Sequence, residues 1–171
     1  MVSPVIVCSV ALSSLALGLS GCEPGLSDPR DEPALDPAYF RCKVQPIMAS
    51  RCGALVCHGS QERFFRVFAR NRFRPLLGGA ENRDRNTALS EKEIQFNYDS
   101  ALGYVDASSP DDSYLLRKPL DQKSAGFYHG GATEFGQGDV FLDKTDPDYE
   151  TIHAWITGAT DDPACVEPGA M

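Results

Sequence analysis

The side chains with the clearest capacity for chemistry lie at residues 52–58, CGALVCH. Four residues separate Cys52 from Cys57, and His58 follows the second cysteine directly. Residues of these types can attach a haem covalently with the imidazole on its iron, form a disulfide beside a histidine, or contribute to a zinc site. Zinc is the weakest interpretation, because the ligands are poorly spaced for tetrahedral coordination.

Covalent haem attachment makes two local demands. Both cysteines must lie on one short, bent segment, and a histidine must follow at once so that its imidazole reaches the iron. His58 meets the second demand, and Gly53 is predicted to give the backbone freedom that a spacer longer than the usual two residues needs. A Cys52–Cys57 disulfide would explain the same thiols without a cofactor, so the local pattern leaves both hypotheses open.

The N-terminal residues predict export. Residues 5–19 form an apolar run of signal-peptide length that is too short to span a bilayer comfortably. The small residues before Cys22 resemble the lipobox of bacterial lipoproteins, which predicts a signal peptide over residues 1–21 and a lipid on Cys22. The protein would then be anchored to a membrane on the periplasmic or cell-surface side, where disulfides form. An ordinary cleaved secretory peptide is the alternative.

Composition and charge limit the remaining chain. Its 171 residues suit one modest domain, and the net charge of −8 argues against nucleic acid as a partner. Residues 22–36 are rich in proline and acidic side chains, which predicts a flexible tether before a domain at residues 37–165. An arginine-rich stretch at residues 61–85 is interpreted either as a solvated face or as a patch for haem propionates or an anionic partner.

Capping signals predict the first two helices. Asp36 stands at an N-cap position before Pro37, and Pro46 is expected to interrupt the helix that follows. Ser90 and Glu93 have the spacing of a capping box and open a helix that is predicted to run through residue 105. These signals require only neighbouring residues, so they predict helix starts without any knowledge of the tertiary fold.

The last helix has the clearest pattern. Asp146 is its predicted N-cap, Pro147 its first residue and Gly158 its stop signal, while its apolar face comprises Tyr149, Ile152 and Ile156 with Trp155 at the edge. Residues 119–144 are rich in glycine and predict a long loop. Because no strand pattern is long enough to build a sheet, the predicted fold class is all-α with long glycine-rich loops.

Four segments together resemble a known family. In chain order they are VQPIMASRCGALVCHGS, PDDSYLLRKPL, YHGG and DPDYETIHAWITGA, which span about residues 40–160. This order is similar to that of the planctomycete-type cytochrome c-like domains of exported bacterial lipoproteins. The resemblance implies a small cytochrome c-like helical domain with one covalent haem c held by Cys52, Cys57 and His58. It also implies electron transfer with an unknown redox partner protein, not enzyme catalysis.

The resemblance implies a candidate for the second iron ligand. His129 matches the histidine of the family's YHGG segment, and the glycines after it would permit close approach to a flat macrocycle. Met48 lies just before the attachment segment and Met171 ends the chain, so neither is an attractive ligand. His153 is expected to be a partly exposed histidine of the last helix. Ligation by two histidines would give a lower potential than ligation by histidine and methionine.

The remaining cysteines form a candidate disulfide. Once Cys52 and Cys57 carry haem, Cys42 and Cys165 are left near the first and last elements of the domain. The same pair is compatible with the rival hypothesis, a haem-free, disulfide-stapled surface lipoprotein with a structural or partner-binding role. The candidates for an apolar wall around a haem, or for ordinary core packing, are Phe64, Phe65 and Phe68.

Overall fold

The computed structural model describes residues 34–72, 74, 86–130 and 139–166. Within these ranges the protein is all-α, as predicted, and the only β-type pairing there is one isolated parallel bridge between Leu120 and Phe141. The predicted signal peptide, Cys22 and most of the tether lie outside the described residues. No helix in the described part of the chain is long and apolar enough to cross a membrane.

The helical segments differ in length and type. Two longer α-helices, the central helix and the C-terminal helix, are Glu91–Leu102 and Pro147–Ile156. The shorter segments are the α-helical Pro37–Tyr39, Gln45–Ile47 and Tyr114–Arg117, the π-helical Phe40–Val44 and Met48–Cys52, and the 3₁₀ turns Pro110–Asp112 and Gln122–Ser124.

The first helical run, residues 37–52, alternates α- and π-helical segments. Asp36 caps it as predicted and accepts a hydrogen bond from the Tyr39 N–H at 2.5 Å. The expected interruption at Pro46 is wrong, because the run continues through the proline to residue 52. The π-helical turn Phe40–Val44 directly precedes the proline turn, and such a widened turn relieves the clash between a proline ring and the preceding carbonyls.

The central helix begins at the predicted capping box. The Ser90 hydroxyl accepts from the Glu93 N–H, and the Glu93 carboxylate accepts from the Ser90 N–H at 2.8 Å. The same carboxylate pairs with Arg74, whose side chain is fully buried. Burial alone would raise the pKa of Glu93, but the hydrogen bonds from Arg74 and Ser90 hold it below its usual value. This arginine is therefore part of a buried ion pair and not of a solvated face.

The C-terminal helix confirms its predicted ends. Asp146 accepts from the Asp148 N–H at 2.9 Å, and Gly158 adopts the left-handed backbone conformation with a φ of 98°. Trp155, expected at the edge of the apolar face, is fully buried. Its ring lies 5.1 Å from that of Phe40, and its indole N–H donates to the Asp36 carbonyl at 3.0 Å. The C-terminal helix therefore packs directly on the first helical run.

A disulfide links the two ends of the domain. The structure joins Cys42 in the first helical run to Cys165 after the C-terminal helix, with Cα atoms 6.3 Å apart. The sequence separation is 123 residues. In the entropic model, a bond that closes a loop of this length stabilises the folded state by about 4–5 kcal/mol.

A buried polar cluster joins the first helical run, the central helix and the segment that follows the cysteine motif. The Asn97 amide accepts from the Phe68 N–H at 2.8 Å and donates to the Phe68 carbonyl at 2.8 Å and to the Gln45 side chain at 2.9 Å. Gln45 also donates to the Phe68 carbonyl at 3.3 Å. Both amide side chains are fully buried. This cluster fixes the backbone of Phe68 against the first helical run and the central helix.

We expect Asn97→Leu, which keeps the number of side-chain heavy atoms, to destabilise the protein strongly. The substitution leaves the Phe68 N–H and the Gln45 side-chain oxygen without their partner, and each buried unsatisfied group costs about 1–3 kcal/mol. Urea unfolding measures the change. Gln95→Leu, at an exposed position of the same helix, is the control and should change stability by about 0.5 kcal/mol or less. Equal effects of the two substitutions would contradict the structural role of the cluster.

Candidate functional site

One cavity brings the predicted site residues together. It has a volume of about 700 Å³ and is lined by Cys52, Cys57, His58 and His129. Cofactor pockets usually enclose about 300–1,000 Å³ and are mostly apolar with a few placed polar groups. The other walls follow this pattern with apolar side chains that include Met48, Phe65, Leu115, Val140, Phe141 and Ile152.

The cysteine motif forms a compact loop. The His58 N–H donates to the Cys52 carbonyl at 3.0 Å, so the chain turns back on itself between the two cysteines. A Cβ on Gly53 would come within 2.7 Å of the Ala69 Cβ, and a Cβ on Gly59 would clash with the Gly53 carbonyl. Gly53 has an ordinary negative φ of −75°. The loop therefore needs these glycines for space and not for an unusual backbone conformation.

Both cysteines of the motif have free thiols, and each residue as a whole is half-buried. Burial raises the pKa of Cys52 to about 12, and the neighbouring Cys57 adds to this effect. Cys52 is therefore a protonated thiol near neutral pH, whereas zinc binds the thiolate. Among the described residues, no three histidine, cysteine or carboxylate side chains converge on one point to hold a metal by themselves.

His58 has a fixed orientation and tautomer. Its Nδ1 lies 2.7 Å from the Phe65 carbonyl oxygen, and its ring packs edge-on against the Phe65 ring at 4.9 Å. Because a carbonyl can only accept, Nδ1 carries the proton and the lone pair is on Nε2. Burial lowers the pKa of His58, although the hydrogen bond to Phe65 opposes this shift. The imidazole is therefore biased towards the neutral form that binds metals.

His129 lies across from His58. The two ring centres are 6.1 Å apart and the ring planes differ by 19°. Two metal–nitrogen bonds of about 2 Å, extended by roughly 1 Å to each ring centre, would place two ligating imidazoles about 6 Å apart. Burial lowers the pKa of His129, while Asp139 opposes the shift. The distance between the ring centres is thus compatible with two imidazoles that bind one metal, and burial favours the neutral form of both.

Contacts with the preceding helical segment position His129. The Phe127 N–H donates to the Arg117 carbonyl at 2.9 Å, and the Arg117 guanidinium lies 4.1 Å from the centre of the Phe127 ring. The Lys118 ammonium donates to the Tyr128 carbonyl at 2.6 Å. The two residues before His129 are therefore held by the backbone and side chains of residues 117 and 118.

Arg51 joins the cysteine motif to the opposite wall of the cavity. Its guanidinium bonds the Asp148 carboxylate at 2.8 Å and the Val140 carbonyl at 3.2 Å, and it lies 3.6 Å from the Asp146 carboxylate. The residue before Cys52 thus contacts both the start of the C-terminal helix and the segment at residues 139–141. In the sequence, Arg51 is a basic residue beside the motif, and Asp146 and Asp148 are acidic residues at the start of the last helix. No sequence pattern predicts that they pair.

The three candidate wall phenylalanines have different environments. Phe65 lines the cavity, as expected of a wall residue. Phe64 is fully exposed, and Phe68 is buried in a separate small cluster with Leu89 and Ile94. The wall prediction is therefore wrong for Phe64, whereas Phe68 follows the alternative of ordinary core packing. Neighbouring residues in this irregular segment face different surroundings.

The other candidate ligands are placed as follows. Met48 is buried and lines the cavity one turn before Cys52. His153 is half-buried beside Tyr149 on the C-terminal helix and is not among the described residues that line the cavity. Met171 lies outside the described residues.

Any functional assignment for this chain depends on its own residues and on their geometry. No family model, curated protein or solved structure matches this chain. The resemblance to cytochrome c-like lipoprotein domains therefore remains a prediction from sequence motifs. Independently of any relative, the cavity offers two free thiols and two imidazoles on mainly apolar walls.

We expect Gly59→Ala to destabilise the domain by about 1–3 kcal/mol, because the added methyl group would clash with the carbonyl groups of Gly53 and Ala54. Gly130→Ala is the matched control, since a Cβ there would meet no atom of the described residues within 4 Å. Chemical unfolding of the two variants measures the difference. Equal stabilities would show that the motif loop is not packed as described.

Proposed function

We propose that this protein is a lipid-anchored electron carrier with one covalently bound haem c in a small cytochrome c-like fold. The observation that supports this proposal best is the shared cavity: two free thiols lie beside His58, and His129 lies 6.1 Å across from it. The proposal needs no residue from outside the described part of the chain to hold the cofactor.

The donor set fits a haem. Cys52 and Cys57 would hold the haem through two thioether bonds, and His58 and His129 would bind its iron. A porphyrin supplies four further nitrogen ligands, which accounts for a site with only two imidazoles and no third protein ligand among the described residues. When bound, the haem supplies a one-electron iron couple.

The two imidazoles support electron transfer over catalysis. If His58 and His129 both held the iron of a haem, these side chains and the porphyrin together would supply six ligands, which would leave none to be supplied by a substrate. The walls are mainly apolar and favour neutral side chains, and burial lowers the pKa of both histidines. We therefore expect a low-spin centre of low potential that exchanges electrons with a partner protein.

The state of the thiols favours haem over the rival hypothesis of a haem-free, disulfide-stapled lipoprotein. That hypothesis uses a second disulfide between Cys52 and Cys57, whereas both are free thiols in the structure. The Cys42–Cys165 bond is compatible with either hypothesis.

Histidine variants test the proposed ligands in protein co-expressed with a cytochrome c maturation system. We expect wild type to carry one covalent haem with a low-spin spectrum, His58→Ala to lose most attached haem, and His129→Ala to keep haem but lose the low-spin spectrum. Pyridine haemochrome and electron paramagnetic resonance spectra measure both properties. His153→Ala should match wild type, because that histidine is not among the described residues that line the cavity.

Other outcomes of this experiment identify the alternatives. Wild-type protein without covalent haem would end the proposal, and an intact mass four hydrogens below the reduced chain would support the haem-free lipoprotein with two disulfides. A low-spin His129→Ala protein with a thioether-to-iron charge-transfer band would assign the second ligand to a methionine, with Met48 the nearest in the cavity.

The proposed membrane anchor rests on the lipobox-like segment alone. We expect Cys22→Ser to lose fatty-acid labelling and to move from the membrane fraction to the soluble fraction. Cys8→Ser is the matched control, because residue 8 lies in the predicted signal peptide and would be removed. Labelled, membrane-bound Cys22→Ser protein would refute the anchor without affecting the haem proposal.

A further inference from the structure

A second buried pair lies beside the proposed iron ligand. Nδ1 of His129 is 4.0 Å from Oδ1 of Asp139, and the two side chains are only 17% and 9% exposed. Both atoms are buried, and neither has a hydrogen-bond partner among the described residues. Nothing in the proposed ligand set explains why a carboxylate is buried at this point.

The two unsatisfied atoms are complementary. An imidazole Nδ1–H can donate and a carboxylate oxygen can accept, and a charge-assisted hydrogen bond between them needs a separation of about 2.7–2.9 Å. Leaving both atoms buried and unpaired is costly, so a small inward movement of either side chain is favourable. Burial raises the pKa of Asp139, and the adjacent His129 opposes this shift.

The chain on the C-terminal side of Asp139 is firmly held. The Val140 carbonyl accepts from the Arg51 guanidinium at 3.2 Å, and the Phe141 N–H donates to the Pro119 carbonyl at 3.0 Å. The two residues after Asp139 are therefore held by Arg51, which precedes Cys52, and by Pro119, which lies in the segment leading to His129. These contacts limit how far Asp139 can move from His129.

We propose that Asp139 is a positioning residue that accepts the Nδ1–H of His129 and presents Nε2 of that ring to the haem iron. This inference rests on the proposed function. A carboxylate behind a ligating histidine fixes its tautomer and increases its basicity, as such partners do for other histidine-bound metals. The added negative charge stabilises the oxidised iron more than the reduced iron, so it lowers the reduction potential.

Substitutions of Asp139 in the haem-loaded protein test this role. Asp139→Asn keeps the shape but removes the charge, so we expect covalent haem and a low-spin spectrum with a higher midpoint potential. Asp139→Leu also removes the acceptor and should alter the low-spin electron paramagnetic resonance signal. Asp139→Glu retains the carboxylate and should restore the potential at least partly. Spectroelectrochemical titration measures the potentials.

Glu150→Gln is the matched control, because it removes one negative charge from an exposed position of the C-terminal helix. Its potential should remain close to that of wild type. Equal potentials and identical spectra for Asp139→Asn and Glu150→Gln would overturn the inference while leaving the proposed function intact. Failure of the proposed function is distinct, since wild-type protein would then carry no covalent haem. If Asp139→Asn does not fold, the other two variants decide. The role would be overturned if Asp139→Glu and Asp139→Leu both gave the same electron paramagnetic resonance signal as wild type.

Discussion

Two imidazoles face each other across an apolar cavity, and most other features of the site follow from what holds them 6.1 Å apart. His58 is fixed by its own loop through the Phe65 carbonyl, whereas His129 is fixed by a segment that residues 117 and 118 hold in place. Their separation is therefore set by how two parts of the chain pack, and not by either motif alone. Neutral imidazoles in such surroundings are well suited to bind a metal.

A cavity of about 700 Å³ is a structural cost in a domain of this size, because its walls lose packing contacts. The disulfide between Cys42 and Cys165 and the buried cluster of Gln45, Asn97 and Phe68 stabilise the surrounding elements. A ligand that fills the cavity would stabilise the folded state further, because it binds that state and not the unfolded chain. The cofactor and the fold would then support each other energetically.

Arg51 and Asp139 connect the site to the remainder of the domain. Arg51 links the cysteine motif to the C-terminal helix and to the Val140 carbonyl, and Asp139 lies next to Val140 and beside His129. Arg51 and Asp139 thus connect the cysteine motif, His129 and the C-terminal helix. We expect a change in any of these elements to alter the distance between the rings of His58 and His129.

The sequence by itself determined the helix starts and the chemical character of the site. The N-cap residues Asp36, Ser90 and Asp146 could be predicted, because a cap involves residues within four positions of one another. The all-α class followed from the same local patterns. Attachment of a haem at the Cys-Cys-His motif stays a prediction.

Only the tertiary structure decided which residues surround the site. It exposes Phe64 while Phe65 lines the cavity, and it buries Trp155 completely. It also carries the helix through Pro46 and brings Asp139 to His129. These outcomes depend on contacts between residues far apart in the chain. The free energies of such contacts exceed the local conformational preferences, and a sequence pattern reports only those preferences.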